Sequence, residues 1–284
     1  MLIATLGDVL LDVIVRLDAP LERGDDVRAR TRAGPGGQAA NVAAWAVALG
    51  AEGRCIAKRG DDVAGDLVGR ELATRGVDLV GPVSAGSTGV VVALVGDDGE
   101  RSLASDRGVA LTLAPAELDA AWLECDLLHL SGYALLGEPM SEAALHAARL
   151  ARGRDARVSV DLATWTEIRA YGPVRFRELL DAIEPDVLFA TEAEWEMLGG
   201  AYLTAPTGVI KRGARGCTVV TEDARLDLAP VDAHEVDSRL SVVDTTGAGD
   251  AFAAGFLLGG SLEGAARRGL EAATRCVSRM GSMP

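Results

Sequence analysis

Short, largely apolar runs recur along this chain at Leu2–Leu6, Asp126–Leu130, Val158–Asp161, Val187–Ala190, Val209–Lys211 and Thr218–Thr221, with helical patterns between several of them. Such runs suit strands buried on both faces, as in a mainly parallel sheet covered by helices. Gly37–Leu49 reads as one covering helix, kept slim on one side by Ala40, Ala43, Ala44 and Ala48 and ended by Gly50. Ser141 is placed to cap a second, which runs through Ala144, Leu145, Ala148 and Leu150 to Gly153. Strands alternating with helices predict a three-layer α/β/α fold around a mainly parallel sheet.

A different rhythm occupies two other regions. Asp26–Ala33 places a charge at every other residue, and Thr88–Val95 runs into the hairpin-like Gly96-Asp97-Asp98-Gly99, with Arg101–Asp106 returning. These read as half-exposed antiparallel strands. Coming from about 12–34 and 88–108, they predict a small antiparallel β lid on a single domain spanning 1–284.

A chain of 284 residues buries enough surface to need no covalent staples. Its four cysteines, Cys55, Cys125, Cys217 and Cys276, are widely spaced, which suits free thiols in a reducing compartment. His129, His146 and His234 have no metal-ligand spacing. A net charge of −14 argues against nucleic acid or anionic lipid as general partners. Met1–Val15 lacks the basic leading segment of a signal peptide and is interrupted by Asp8 and Asp12. No stretch approaches the ~20 apolar residues of a membrane span, so the expected location is cytoplasmic.

The chemistry concentrates in Asp244-Thr245-Thr246-Gly247-Ala248-Gly249-Asp250-Ala251-Phe252. Leu240–Val243 reads as a strand leading in, and Ala251–Leu258 as a helix leading out. The glycine-rich turn then sits at a helix N-terminus, where unpaired N–H groups and the macrodipole attract an anion. Gly247, Ala248 and Gly249 keep that approach clear. Asp250 is either a helix cap or a carboxylate that takes the proton of an attacking hydroxyl during phosphoryl transfer.

That run resembles the C-terminal signature of the ribokinase-like (PfkB) carbohydrate kinases, and Gly36-Gly37-Gln38-Ala39-Ala40-Asn41 resembles their N-terminal one. Gly60-Asp61-Asp62 with Gly65, Arg107-Gly108, Thr191-Glu192-Ala193-Glu194 and Lys211–Gly216 fall between them in the family's order. The resemblance covers essentially the whole chain. It implies a ribokinase-like fold and an ATP-dependent kinase of a small sugar or sugar-acid, with Asp250 as general base and Gly247–Gly249 as anion hole. It also places Asp12, Gly37, Gln38, Asn41 and Tyr133 around the sugar. Lys211, Gly213, Gly216 and Thr191 fall at the nucleotide, Glu194 acts on Mg²⁺ through water, and Asp244 and Thr246 match positions that hold K⁺ in many relatives. A homodimer through the lid is expected by the same likeness. Three departures stand out: Thr191 replaces the usual asparagine, Gln38 the ribokinase lysine, and Ser131 the ribose-binding glutamate.

Other readings compete. Gly34-Pro35-Gly36-Gly37-Gln38-Ala39 satisfies a dinucleotide fingerprint, but the preceding segment alternates charge instead of forming a buried strand. A catalytically silent sugar or nucleotide sensor would not need Asp250. Within kinases, a nucleoside wants an aromatic shelf, for which Tyr133 is the nearby candidate. A phosphorylated sugar wants converging bases such as Arg28, Arg30, Arg101 and Arg107.

Overall fold

The computed structural model describes residues 1–24, 26–96, 101–199, 205–232, 236 and 242–284, with Arg101 described by its backbone. In chain order, β1 (Leu2–Leu6), β2 (Leu10–Leu17) and β3 (Ala29–Gly36) precede α1 (Gln38–Ala48). Then come β4 (Glu52–Ile56), β5 (Arg59–Gly60), α2 (Val63–Thr74), β6 (Val77–Val80), β7 (Val83–Ser84), β8 (Thr88–Val95) and β9 (Arg101–Gly108). The second half runs β10 (Leu127–Ser131), α3 (Met140–Arg152), β11 (Arg157–Asp161), α4 (Trp165–Tyr171), α5 (Pro173–Ile183), β12 (Val187–Thr191) and α6 (Glu192–Met197). It closes with β13 (Thr207–Lys211), β14 (Cys217–Val220), β15 (Arg225–Leu228), α7 (Ala248–Leu257) and α8 (Leu262–Val277).

Nine strands form the large sheet in the order β15-β14-β13-β12-β11-β10-β1-β4-β6. From β13 to β6 every pairing is parallel, and β14 and β15 add an antiparallel edge. Successive residues of each buried strand feed opposite cores, which is why the runs read as continuously apolar. On β12, Leu188 and Ala190 pack with α3 and α5, while Val187 and Phe189 pack with α1, α7 and α8. Chain order reverses between β1 and β10, the position where open α/β sheets offer a crevice at the strands' C-terminal ends.

The small sheet has the order β3-β2-β8-β9. Its outer pairs are antiparallel, and a parallel β2–β8 seam joins them, with Asp12 beside Val91 and Ile14 beside Ala93. The seam is parallel because β2 and β8 both leave the body and run the same way.

Two local expectations are corrected. Ser141 does not cap α3; it lies inside the helix, 4% exposed, and Pro139 holds the N-cap position. The helix starts two residues earlier than a Ser141 cap would give, and Met140 joins Ala143 and Ala144 in the buried core. The strand expected at Leu240–Val243 is not formed by Val242 and Val243, which are exposed; the Val243 N–H donates to the Val277 carbonyl instead. Leu240, Ser241 and the hairpin residues Asp97 to Gly99 lie outside the described residues. All four cysteines are free, and no described helix is long and apolar enough to cross a membrane.

Candidate active site

The parallel strands β1, β10, β11, β12 and β13 end on one edge of the large sheet, at Leu6, Ser131, Asp161, Thr191 and Lys211. Above that edge α7 begins. Its N-cap, Gly247, has φ +76°, and a Cβ there would stand 2.6 Å from Ser282 Cα, so only glycine fits the turn. No side chain caps the helix; the Ala248 N–H makes a long bond to the Thr245 carbonyl at 3.4 Å, and helix geometry leaves the next N–H groups without an intrahelical acceptor. Phe189 meets Phe252 and Phe256 edge-on, at ring distances of 6.4 and 5.5 Å, and seats α7 on the sheet. Asp250 is thereby fixed in the first turn.

Asp250 Oδ2 accepts a hydrogen bond from Asn41 Nδ2 at 2.7 Å, joining α7 to the first turn of α1. Burial raises the Asp250 pKa to about 7, opposed by the Asn41 bond and assisted by Asp161. A carboxyl poised there can both hold a proton and release it near neutrality.

Asp250 faces a cavity of about 240 Å³ whose lining includes Asp8, Asp12, Gly37, Gln38, Arg107 and Tyr133. The small sheet supplies an aliphatic wall of Ile14, Val91, Ala93 and Leu103. Asp12 has a pKa raised to about 7 by burial and by Asp8, with Arg107 opposing. Asp8 is 1% exposed; its carboxylate pairs with Arg107 and accepts from the Gln38 N–H at 3.1 Å. The Arg107 guanidinium lies 3.8 Å from the Tyr133 ring centre, covering one face of the ring. Gln38 Oε1 is buried without a hydrogen-bond partner on a side chain that lines the cavity. Ser131, at the end of β10, is fully buried and its hydroxyl also lacks a partner.

A second cluster lies on the other side of the turn. Lys211 Nζ donates to Asp161 Oδ2 at 2.5 Å. Burial alone would lower the Lys211 pKa, but Asp161 and Glu194 outweigh it and hold the ammonium above its ordinary value. A Cβ on Gly249 would stand 3.1 Å from Nζ, so this cation abuts the phosphate turn. Thr191 caps α6: Glu194 Oε2 accepts from the Thr191 N–H at 2.7 Å, and Thr191 Oγ1 accepts from the Glu194 N–H at 3.4 Å. Burial raises the Glu194 pKa, with Lys211 opposing.

Gly213 and Gly216 flank a single 3₁₀ turn between β13 and β14. A Cβ at Gly216 would strike the Leu228 carbonyl, at 2.0 Å, so strand pairing alone demands this glycine. Asp244 organises its own loop: Oδ1 accepts from the Thr246 N–H and hydroxyl at 2.9 and 2.7 Å, and Oδ2 from the Gly281 N–H at 2.9 Å.

Sequence reasoning missed Asp161 as a site residue, although a carboxylate at the C-terminal end of a parallel strand is a usable signal. It read Arg107 as part of a family-like stretch and as a lid base, and Asp8 only as a break in an apolar run. Nothing in the sequence marked Ser282, which reaches Asn41 across 241 positions.

Comparison with known proteins agrees with this geometry. The pfkB family carbohydrate kinase model matches residues 2–284. The chain is 34% identical over 279 residues to the ATP-dependent ribose-1-phosphate kinase of Halopiger xanaduensis, covering 96% of this chain and 90% of that one. It is 30% identical over 295 residues to a fructokinase of Escherichia coli, covering 95% and 90%. The crystal structure of adenosine kinase from Sinorhizobium meliloti shares the fold, with a TM-score of 0.85 over 99% of this chain and 95% of that one at 24% identity. With the match running essentially end to end and the two signature turns meeting at one cavity, the chain belongs to the pfkB family of carbohydrate kinases.

Proposed function

We propose that the protein transfers the γ-phosphoryl group of ATP to a hydroxymethyl group of a small sugar or sugar-acid, with Asp250 as general base. The observation that carries this reading is Asp250 itself: a carboxyl with a pKa near 7, held by Asn41 and facing the cavity that Asp12 also lines. The substrate hydroxyl gives its proton to Asp250 as its oxygen bonds to phosphorus and the bond to the departing ADP oxygen breaks. The N–H groups of Gly247, Ala248 and Gly249 neutralise charge on the transferred group, and Lys211 adds a fixed positive charge beside them.

Asp12 accepts from two neighbouring hydroxyls, and Gly37, Gln38 and Tyr133 complete the sugar contacts, with the orphaned Gln38 Oε1 as a further acceptor. Lys211, Thr191 and the Gly213–Gly216 turn lie where the nucleotide phosphates and ribose would run. Mg²⁺ carried with ATP supplies further charge neutralisation. Glu194 fits a water-mediated contact to that ion better than direct ligation, because one carboxylate oxygen already caps α6. The Asp244 carboxylate is likewise engaged, so a K⁺ ion at Asp244 and Thr246 would be held by main-chain carbonyls.

The cavity favours an uncharged or singly charged sugar. Arg107 is the only base among its described lining residues, and Asp8 already pairs with it. A phosphate dianion would meet Asp8, Asp12 and Asp250 with little to offset them. A nucleoside base would find one face of Tyr133 taken by Arg107. Measuring ATP consumption across fructose, ribose, ketodeoxygluconate, inositols, nucleosides and ribose 1-phosphate tests the assignment. Turnover restricted to nucleosides or to sugar phosphates would overturn it.

The body and the small sheet act as one domain, with the sheet as lid over the cavity. The lid's outer face, with Val13 beside Val92 and Val15 beside Leu94, is the surface for a homodimer. Sedimentation giving a monomer at micromolar concentration would remove that part.

A further inference from the structure

Asn41 can hold Asp250 only if its amide is turned the right way. An ionised carboxylate has no proton to donate, so the amide must present Nδ2 to it and leave Oδ1 facing away. An amide with nothing on its far side can rotate and offer its oxygen, which repels the carboxylate. In this protein the far side is occupied: Asn41 Oδ1 accepts from the Ser282 hydroxyl at 2.9 Å. Both side chains are buried, Asn41 at 6% and Ser282 at 4% exposure.

Ser282 is in turn braced on several sides. Its carbonyl accepts from Trp45 Nε1 at 2.8 Å, on the same helix as Asn41 but one turn on. The preceding Gly281 N–H donates to Asp244 Oδ2, and the Met280 carbonyl accepts from Arg32 Nη1 at 2.8 Å. Ser282 Cα packs against Gly247, at the start of the anion turn. The segment after α8 thus touches both signature motifs, and a single hydroxyl carries its effect to the reacting carboxylate.

We propose that Ser282 is a positioning residue for the phosphoryl transfer, fixing the orientation of the Asn41 amide so that it holds Asp250 ionised and aimed at the substrate hydroxyl. The proposal rests on the reading of Asp250 as the general base. Ser282 itself lies behind Asn41 and is not among the residues lining the cavity shared by Asp12 and Asp250.

The Asn41 bond is among the influences that lower the Asp250 pKa; loosening it lets burial push that value further up. Asp161, Lys211, Asp8 and the Cys276 thiol also act on Asp250 or lie near it; of these, Cys276 touches Ser282, through the main-chain carbonyl that every variant keeps. The test compares S282A, S282C and S282T. Cysteine keeps the size but is a weak donor, and threonine keeps the hydroxyl. In S282A and S282C the acid limb of the kcat profile moves to higher pH, and kcat near neutrality falls by up to about tenfold, the scale of losing the Asn41–Asp250 hydrogen bond that the freed amide no longer holds. The KM for ATP stays constant, and S282T behaves as the wild type. The carboxyl titration of Asp250, followed by ¹³C NMR against D250N, shifts upward in the same two variants. That titration needs no turnover, so a wild-type protein inert towards every substrate would sink the kinase reading while leaving the Ser282 question answered. A folded S282C with the wild-type pH profile and Asp250 titration would overturn the proposal, as would a loss in S282T equal to that in S282A. If S282A fails to fold, the S282C and S282T pair decides.

Discussion

Lys211 Nζ and Asp161 Oδ2 meet at 2.5 Å, tying the end of β13 to the end of β11 beside the phosphate turn. Asp161 is fully buried and the lysine side chain 15% exposed, so neither charge can turn to bulk water if the other is removed. Removing the lysine alone should therefore cost about 3–5 kcal/mol of stability, the usual consequence of stranding a buried charge. Lys211→Met is expected to lower the denaturation midpoint and to weaken ATP binding. Lys211→Met with Asp161→Asn should regain much of the stability and none of the nucleotide affinity. Chemical denaturation and ATP titration check both halves, and equal loss of stability in the single and double variants would contradict the pairing argument.

Asp250→Asn keeps the shape of α7's first turn and removes the carboxylate proposed as the base. ATP binding should persist while kcat drops by at least the ~10²–10⁴ of a positioned general base. Turnover within a few-fold of the wild type would show that another group takes the proton.

The raised Asp250 and Asp12 pKa values, each about 7, make two pH statements. Since the base must be ionised, kcat should decline as pH falls below about 7. Stability moves the other way. Both groups ionise near 3.8 when unfolded, so between 3.8 and about 7 the folded state binds more protons, and raising pH through that window destabilises it. Asp250→Asn should consequently raise Tm clearly at pH 8 and very little at pH 4, which thermal melts at the two pH values would check.

Asp12→Ala should act on the sugar rather than on the nucleotide. The expected result is a KM for sugar raised by about tenfold or more, the scale of a lost hydrogen bond to a charged group, with the KM for ATP unchanged. An unaltered sugar KM would remove Asp12 from the binding set.

The parallel sheet was legible because each buried strand carries its apolar residues consecutively, and β1 falls on the residues the pattern names, as β8 of the small sheet does on the residues its own pattern names. The glycine turn that opens α7 was legible because its signature is local: Gly247 to Asp250 lie within one helical turn. Ser141 misled because a serine near a helix start is normally a cap, whereas here it is buried within the first turn together with Met140, Ala143 and Ala144. The Asp161–Lys211 pair spans 50 positions and the Ser282–Asn41 bond 241, and no spacing rule reaches that far. Such contacts exist only once the sheet has brought its strand ends together.

The small sheet has a further consequence. β2 starts at Leu10, four residues after the last residue of β1, and carries Asp12, whereas Asp250 is anchored to a helix packed on the large sheet. On the proposed function, one jaw of the sugar pocket is thus mounted on the small sheet and the other on the large one. The gap between the two carboxylates is therefore set by how the small sheet sits on the large one. A polyol bonded to both would act as a tie rod, drawing the small sheet down by its own length. A molecule with one hydroxyl too few, or its hydroxyls spaced differently, would leave the jaws apart and the phosphoryl group open to water.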